Sequence, residues 1–210
     1  MKRRDFLRVT LVGGAAAAVA PLDLWGKGTG KSGFTLWQLP SQVDTIGNSF
    51  VFLTDKGRVV VMDGGMNDET LFLRGFIAAL GNEVEAWFTS HPHNDHVGAL
   101  TKILQKPDGM KINKVYHSRF SDSLLACEAP YQQYALDYYE ALDKSGIEVA
   151  NQTEPGLTGQ IDGLNFKILG VTNEEFRTNP YNNSSMKLPS FSLLNLIKYR
   201  IYYIHSNFWW

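Results

Sequence analysis

Residues 90–100 read SHPHNDHVGAL, so three of the chain's five histidines, His91, His93 and His96, fall within six positions together with Asp95. Neutral imidazole and carboxylate are the donors that zinc prefers, and iron and manganese accept the same atoms. Residues two apart in an extended loop project to one side, so His91 and His93 can grip a single ion. Asp95 and His96 follow where the chain turns into a helix. Asp95 is expected to cap that helix while one carboxylate oxygen faces a second ion beside His96. A lone histidine is more often a surface or packing residue than a ligand; that reading does not extend to the group.

The elements that must carry this loop are legible on both sides of it. FTLWQL, from Phe34, alternates like a strand. NSFVFLTD and RVVVMDGG are β-branched and aromatic runs separated by Asp55-Lys56-Gly57, which predicts a hairpin. Asp68 is placed to cap a helix running to about Leu80, with Leu73, Phe76, Ile77 and Leu80 on one stripe and Gly81 as its stop. VEAWFTS is the next strand and delivers the chain into His91, after which Val97, Leu100, Ile103 and Leu104 form a helix face that Pro107-Asp108-Gly109 ends. INKVYHS is strand-like. Pro130 opens a helix over 130–145, with Tyr131, Tyr134, Ala135, Tyr138 and Leu142 as a core-packing stripe and Gly146 as its end. IEVAN and NFKILGV are short strands, and the order ββαβαβαββ predicts an α/β layered domain.

With the flanking elements in view, TSHPHNDHVGAL resembles the metal-binding loop of metallo-β-lactamase-fold hydrolases. VVVMDGG resembles the family's strand ending in Asp-x-Gly, which makes Asp63 the expected brace of the metal loop. NPYNNSSM resembles the Asn-Asn-x-Ser stretch of the branch that includes the hydrolase domain of competence DNA-uptake proteins. The motifs span roughly Phe34 to Met186. The resemblance implies a four-layer αβ/βα sandwich of two similar halves with a metal pair where they meet, the ligands being His91, His93, Asp95 and His96. It also implies a zinc-dependent hydrolase, with manganese or iron as alternatives, that uses a metal-bound hydroxide oriented by Asp95 on an ester or phosphodiester-like bond.

The family pattern is matched only in part. Its second half normally adds further histidines and a Gly-Asp turn that bridges the metals, and no Gly-Asp pair occurs in this sequence. The domain is therefore expected to run over 34–210 with its first half complete and its second half incomplete, as in a truncated chain. His117 and His205 are the histidines left over; each is expected to pack or lie on the surface rather than to ligate. Two protein ligands per metal fall short of the three that catalytic zinc usually has. A catalytically incompetent, vestigial member of the same fold is thus the competing expectation.

The remaining composition narrows the classes. Lys plus Arg is 20 against Asp plus Glu 21, so no basic field recruits nucleic acid. Residues 1–20 place Lys2, Arg3, Arg4 and Arg8 ahead of a Gly/Ala run ending Ala18-Val19-Ala20, which reads as a cleavable export signal of twin-arginine type, with a periplasmic or extracellular destination. Its removal takes away four basic residues and Asp5, moving the net charge from −1 to −4. The run is too short and broken by Gly13-Gly14 to leave a membrane span. Residues 21–33 read as a flexible linker; the Gly30-Lys31-Ser32 ending suggests a phosphate loop, but Trp25 stands where that pattern needs glycine. Cys127, the single cysteine, cannot form an internal disulfide and is expected to be a buried hydrophobe.

Overall fold

The computed structural model describes residues 33–129 and 131–171. The expected export signal, most of the expected linker, the Asn-Asn-Ser-Ser stretch and His205 lie outside the described residues. The β-branched runs form strands as their alternation requires: β1 is Phe34–Gln38, β2 Ser49–Thr54 and β3 Val59–Asp63, joined as antiparallel neighbours. Gly57 takes φ +83° in the β2–β3 turn, a conformation open to glycine without strain. After β3 come a single 3-10 turn, Asn67–Glu69, and α1, Thr70–Ala79.

From there the chain alternates. β4 (Glu83–Phe88) lies parallel to β3, and the loop that follows leads into α2, Asn94–Gln105. The two-residue β5 (Lys111–Ile112) and β6 (Lys114–His117) both pair parallel with β4. Helices α3 (Asp122–Cys127) and α4 (Gln132–Ser145) then cross back to β7 (Glu148–Asn151), parallel to β6. Gly146 ends α4 at φ +68°. The seven strands make one sheet in the order β1-β2-β3-β4-β6-β7, with β5 beside β4. A separate hairpin, β8 (Thr158–Ile161) and β9 (Leu164–Lys167), completes the described residues.

Strand alternation divides the sheet into two apolar faces. Val51, Val61, Trp87 and Val115 point into a core shared with Leu73, Ile77, Leu100, Ile103, Tyr138 and Leu142 of the helices. Their neighbours Phe52, Val60, Ala86 and Phe88 point the other way, onto Leu164 and Phe166 of the hairpin. The result is a helical layer, a mixed sheet and a second sheet begun by β8–β9, the layering of the first half of an αβ/βα sandwich. No helix of the described residues is long and apolar enough to cross a membrane.

Several local expectations are corrected. Asp68 does not cap α1: it sits inside the 3-10 turn, and Glu69 does the anchoring, its buried carboxylate accepting the Met66 and Gln42 amides, each at 2.8 Å. Tyr131 and Tyr134 are 51% and 41% exposed, because only Ala135, Tyr138 and Leu142 of that stripe face the sheet. Cys127 is exposed at the end of α3, a helix the apolar periodicity did not announce. The short strands β5 and β8 likewise have too few residues to carry a pattern.

Candidate metal centre

Strands β3, β4 and β6 run parallel, so their C-terminal ends share one edge of the sheet, where open α/β sheets place ligands. Asp63 closes β3, and Thr89 and Ser90 follow β4, with Thr89 N–H donating to the Tyr116 carbonyl at 3.0 Å. The four candidate residues of the loop emerge at this edge. His93, extended at φ −84° and ψ 152°, is the cap residue of α2 and supplies no side-chain cap. Asp95 is thus inside the first turn rather than at the cap, where its charge complements the helix dipole.

Asp63 is the brace. Buried at φ +55°, it accepts the Ser90 amide on Oδ1 at 2.7 Å, and on Oδ2 the Ser90 hydroxyl at 2.9 Å and His96 Nδ1 at 2.8 Å. Ser90 Oγ, having donated to Asp63, accepts from His91 Nδ1 at 3.1 Å. His93 donates from Nε2 to Glu128 Oε2 at 2.8 Å. Each imidazole therefore has one nitrogen held by the protein, which leaves Nε2 of His91, Nδ1 of His93 and Nε2 of His96 as the inner atoms.

Those inner atoms stand in pairs. His91 Nε2 faces His93 Nδ1 at 3.1 Å, and Asp95 Oδ2 faces His96 Nε2 at 3.3 Å. Two donors held about 2.0–2.1 Å from one tetrahedral ion stand roughly 3.3 Å apart. With their outer nitrogens donating, His91 and His93 direct two lone pairs at each other, an arrangement that a cation between them relieves. The donor chemistry and spacing fit a cation at each pair, each pair supplying two protein donors. Among the described residues no group of three or more His, Cys, Asp or Glu is placed to hold one metal ion.

Electrostatics follow from the same contacts. Burial, and then the His96 and His93 charges, hold His91 well below the ordinary histidine range, so its imidazole is neutral and its Nε2 lone pair free. Burial pulls His96 the same way, but the Asp63 carboxylate and then Asp95 outweigh it and raise His96 to about 10. Burial works to raise Asp95, while the hydrogen bond and charge of His96 prevail and hold it below the usual carboxylate value. His96 and Asp95 thus form an ion pair, with Nε2 and Oδ2 3.3 Å apart.

His117, at the C-terminal end of β6, is only 1% exposed and packs edge-on to Tyr138, 5.9 Å between ring centres, and against Tyr139. Its buried Nδ1 has no hydrogen-bond partner among the described residues. These contacts make it a packing histidine. Sequence reasoning passed over Ser90 and Glu128. Ser90 lies beside the motif but carries no spacing signal of its own; Glu128 is 35 residues from His93, and no local pattern points to it.

The family model described as the metallo-beta-lactamase superfamily matches residues 43–166, more than half of the 210. The chain belongs to that superfamily. The match takes in Asp63, the whole histidine loop and Glu128. Among solved structures, this metallo-β-lactamase superfamily member is similar to a metallo-β-lactamase of Cronobacter sakazakii at 16% identity and TM-score 0.39, over 58% of this chain and 45% of that one. A subclass B3 metallo-β-lactamase of Bradyrhizobium japonicum aligns at 16% identity and TM-score 0.38, over 58% and 44%. A diphosphatase of the PhnP family aligns at 15% identity and TM-score 0.38, over 59% and 42%. The chain spans under half the length of these structures. No protein of curated function matches the sequence.

Proposed function

We propose that this protein is an exported metal-dependent hydrolase acting on an ester or phosphodiester-like bond of a small molecule. The observation that carries the reading is the arrangement of two donor pairs at ligand spacing, with the outer nitrogens of His91, His93 and His96 already engaged. His91 Nε2 and His93 Nδ1 would hold one divalent cation; Asp95 Oδ2 and His96 Nε2 would hold a second. Zinc suits these donors best, with manganese and iron as alternatives. A bound cation of this kind supplies Lewis acidity that makes water a competent nucleophile near neutral pH.

The chain's own residues do the rest. Asp63 and Ser90 fix the imidazole planes, so little reorganisation accompanies cation entry. Asp95, a carboxylate kept ionised, is the acceptor for the proton of an attacking water and orients that water toward the substrate. Export rests on Arg3-Arg4 and the Ala18-Val19-Ala20 ending.

Purified protein should retain close to two equivalents of zinc, manganese or iron by elemental analysis. Asp95→Ala should abolish chelator-sensitive hydrolysis of a generic phosphodiester. The second reading, a vestigial member of the fold, is favoured by the two-donor count at each pair among the described residues. Less than about half an equivalent of metal with no chelator-sensitive turnover would decide for it.

A further inference from the structure

The geometry points to Glu128 as a positioning residue for the metal loop, the carboxylate that selects which nitrogen of His93 faces His91. This inference rests on the metal-binding reading of the loop. Glu128 follows α3, whose start is capped by Ser121 Oγ accepting from Leu124 N–H at 3.2 Å. The backbone of Glu128 ends that helix, its N–H donating to the Leu125 carbonyl at 3.1 Å, so its side chain is not needed for the local fold. The side chain is nevertheless 5% exposed, and burying a carboxylate is costly unless a partner compensates.

Among the described residues, its hydrogen-bond partner is His93 Nε2, at 2.8 Å, and Oε1 is buried without one. The His93 ring is further confined by Phe120, 6.2 Å away between ring centres, and by the half-exposed Tyr131 at 5.6 Å. A histidine whose Nε2–H is spoken for by a carboxylate presents a more basic Nδ1, and Nδ1 is the atom 3.1 Å from His91 Nε2. Without Glu128 the ring is free to change tautomer or flip, and the His91–His93 pair loses its register. The α3 segment, remote in sequence, would thus set the affinity of the first cation and leave the Asp95–His96 pair untouched.

Zinc affinity measured by competition with a chromophoric chelator should fall about tenfold to hundredfold in Glu128→Ala and less in Glu128→Gln, which keeps an acceptor oxygen. Circular dichroism and the thermal midpoint of the Gln variant should stay near wild type. Unchanged zinc affinity in both folded variants would overturn the inference. So would a change in coordination number of bound cobalt(II) in Glu128→Gln, which would place Glu128 on the metal itself. A third measurement needs neither metal nor a variant: in zinc-free wild-type protein, side-chain nitrogen resonances should report the Nε2–H tautomer of His93. An Nδ1–H tautomer there would refute the role. This last arm separates failure of the Glu128 inference from failure of the metal-binding reading.

Discussion

Asp63 Oδ2 stands 2.8 Å from His96 Nδ1 while Oδ1 of the same carboxylate accepts the Ser90 amide at 2.7 Å. One side chain at the end of β3 therefore ties both ends of the histidine loop to the sheet. Asp63→Asn keeps an acceptor but loses the charge facing His96, and metal affinity should fall about tenfold to hundredfold. Asp63→Ala leaves the buried Ser90 amide without its acceptor and takes the carboxylate away from His96 Nδ1, which should cost about 3–5 kcal/mol of folding stability. Chelator competition reads the first and urea unfolding the second; an Asn variant with wild-type affinity would remove Asp63 from the site.

Gly98 lets α2 lie against the turn after β3. A Cβ there would stand 2.6 Å from the Asn67 backbone nitrogen and 2.7 Å from Asn94 Oδ1. Alanine favours a helix over glycine by about 1 kcal/mol, yet the nearest atom is backbone rather than the end of a flexible side chain. Gly98→Ala should therefore destabilise the fold by about 1–3 kcal/mol, read from the denaturant midpoint. A stabilised variant would mean that α2 and the 64–67 turn are not held at this distance.

His117 should make stability pH-dependent. Burial, and to a lesser degree the Arg119 cation, push its imidazole down to about 4, against a slight opposing pull from Asp143; the Tyr138 and Tyr139 rings are its other neighbours. The unfolded chain takes up a proton near 6.5 that the folded chain refuses, so the full contribution is present above about pH 6.5. It is lost as pH falls from about 6.5 through 4, to the extent of up to about 3 kcal/mol. His117→Leu should flatten that part of the profile, as urea midpoints at about pH 7 and about pH 5 would show. Parallel profiles for the two proteins would mean that His117 titrates normally in the fold.

Much of the site could be read along the chain because its parts are local. Two-residue spacing puts His91 and His93 on one side of an extended segment wherever that segment sits, and a strand ending in Asp-Gly-Gly brings Asp63 to a sheet edge. What misled the reading was also local: Asp68 and Asp95 have cap chemistry, but the turns begin a residue or two earlier, and Glu69 reaches back to the Met66 amide instead. Tyr131 shares a helical stripe with Tyr138, yet only the latter meets the sheet, because the stripe turns away from the core at the start of α4.

By itself the sequence determined the candidate donor set and the alternation of strands and helices, consequences of residue type and short-range periodicity, while the brace at Asp63 was implied by the resemblance of its strand to the family's. Tertiary structure alone decided which nitrogen of each imidazole faces inward, through Ser90, Asp63 and Glu128. The physical reason is reach. A hydrogen bond acts over about 3 Å, and the His93–Glu128 contact spans 35 residues of chain, so only the packing of α3 against the loop could bring the pair together.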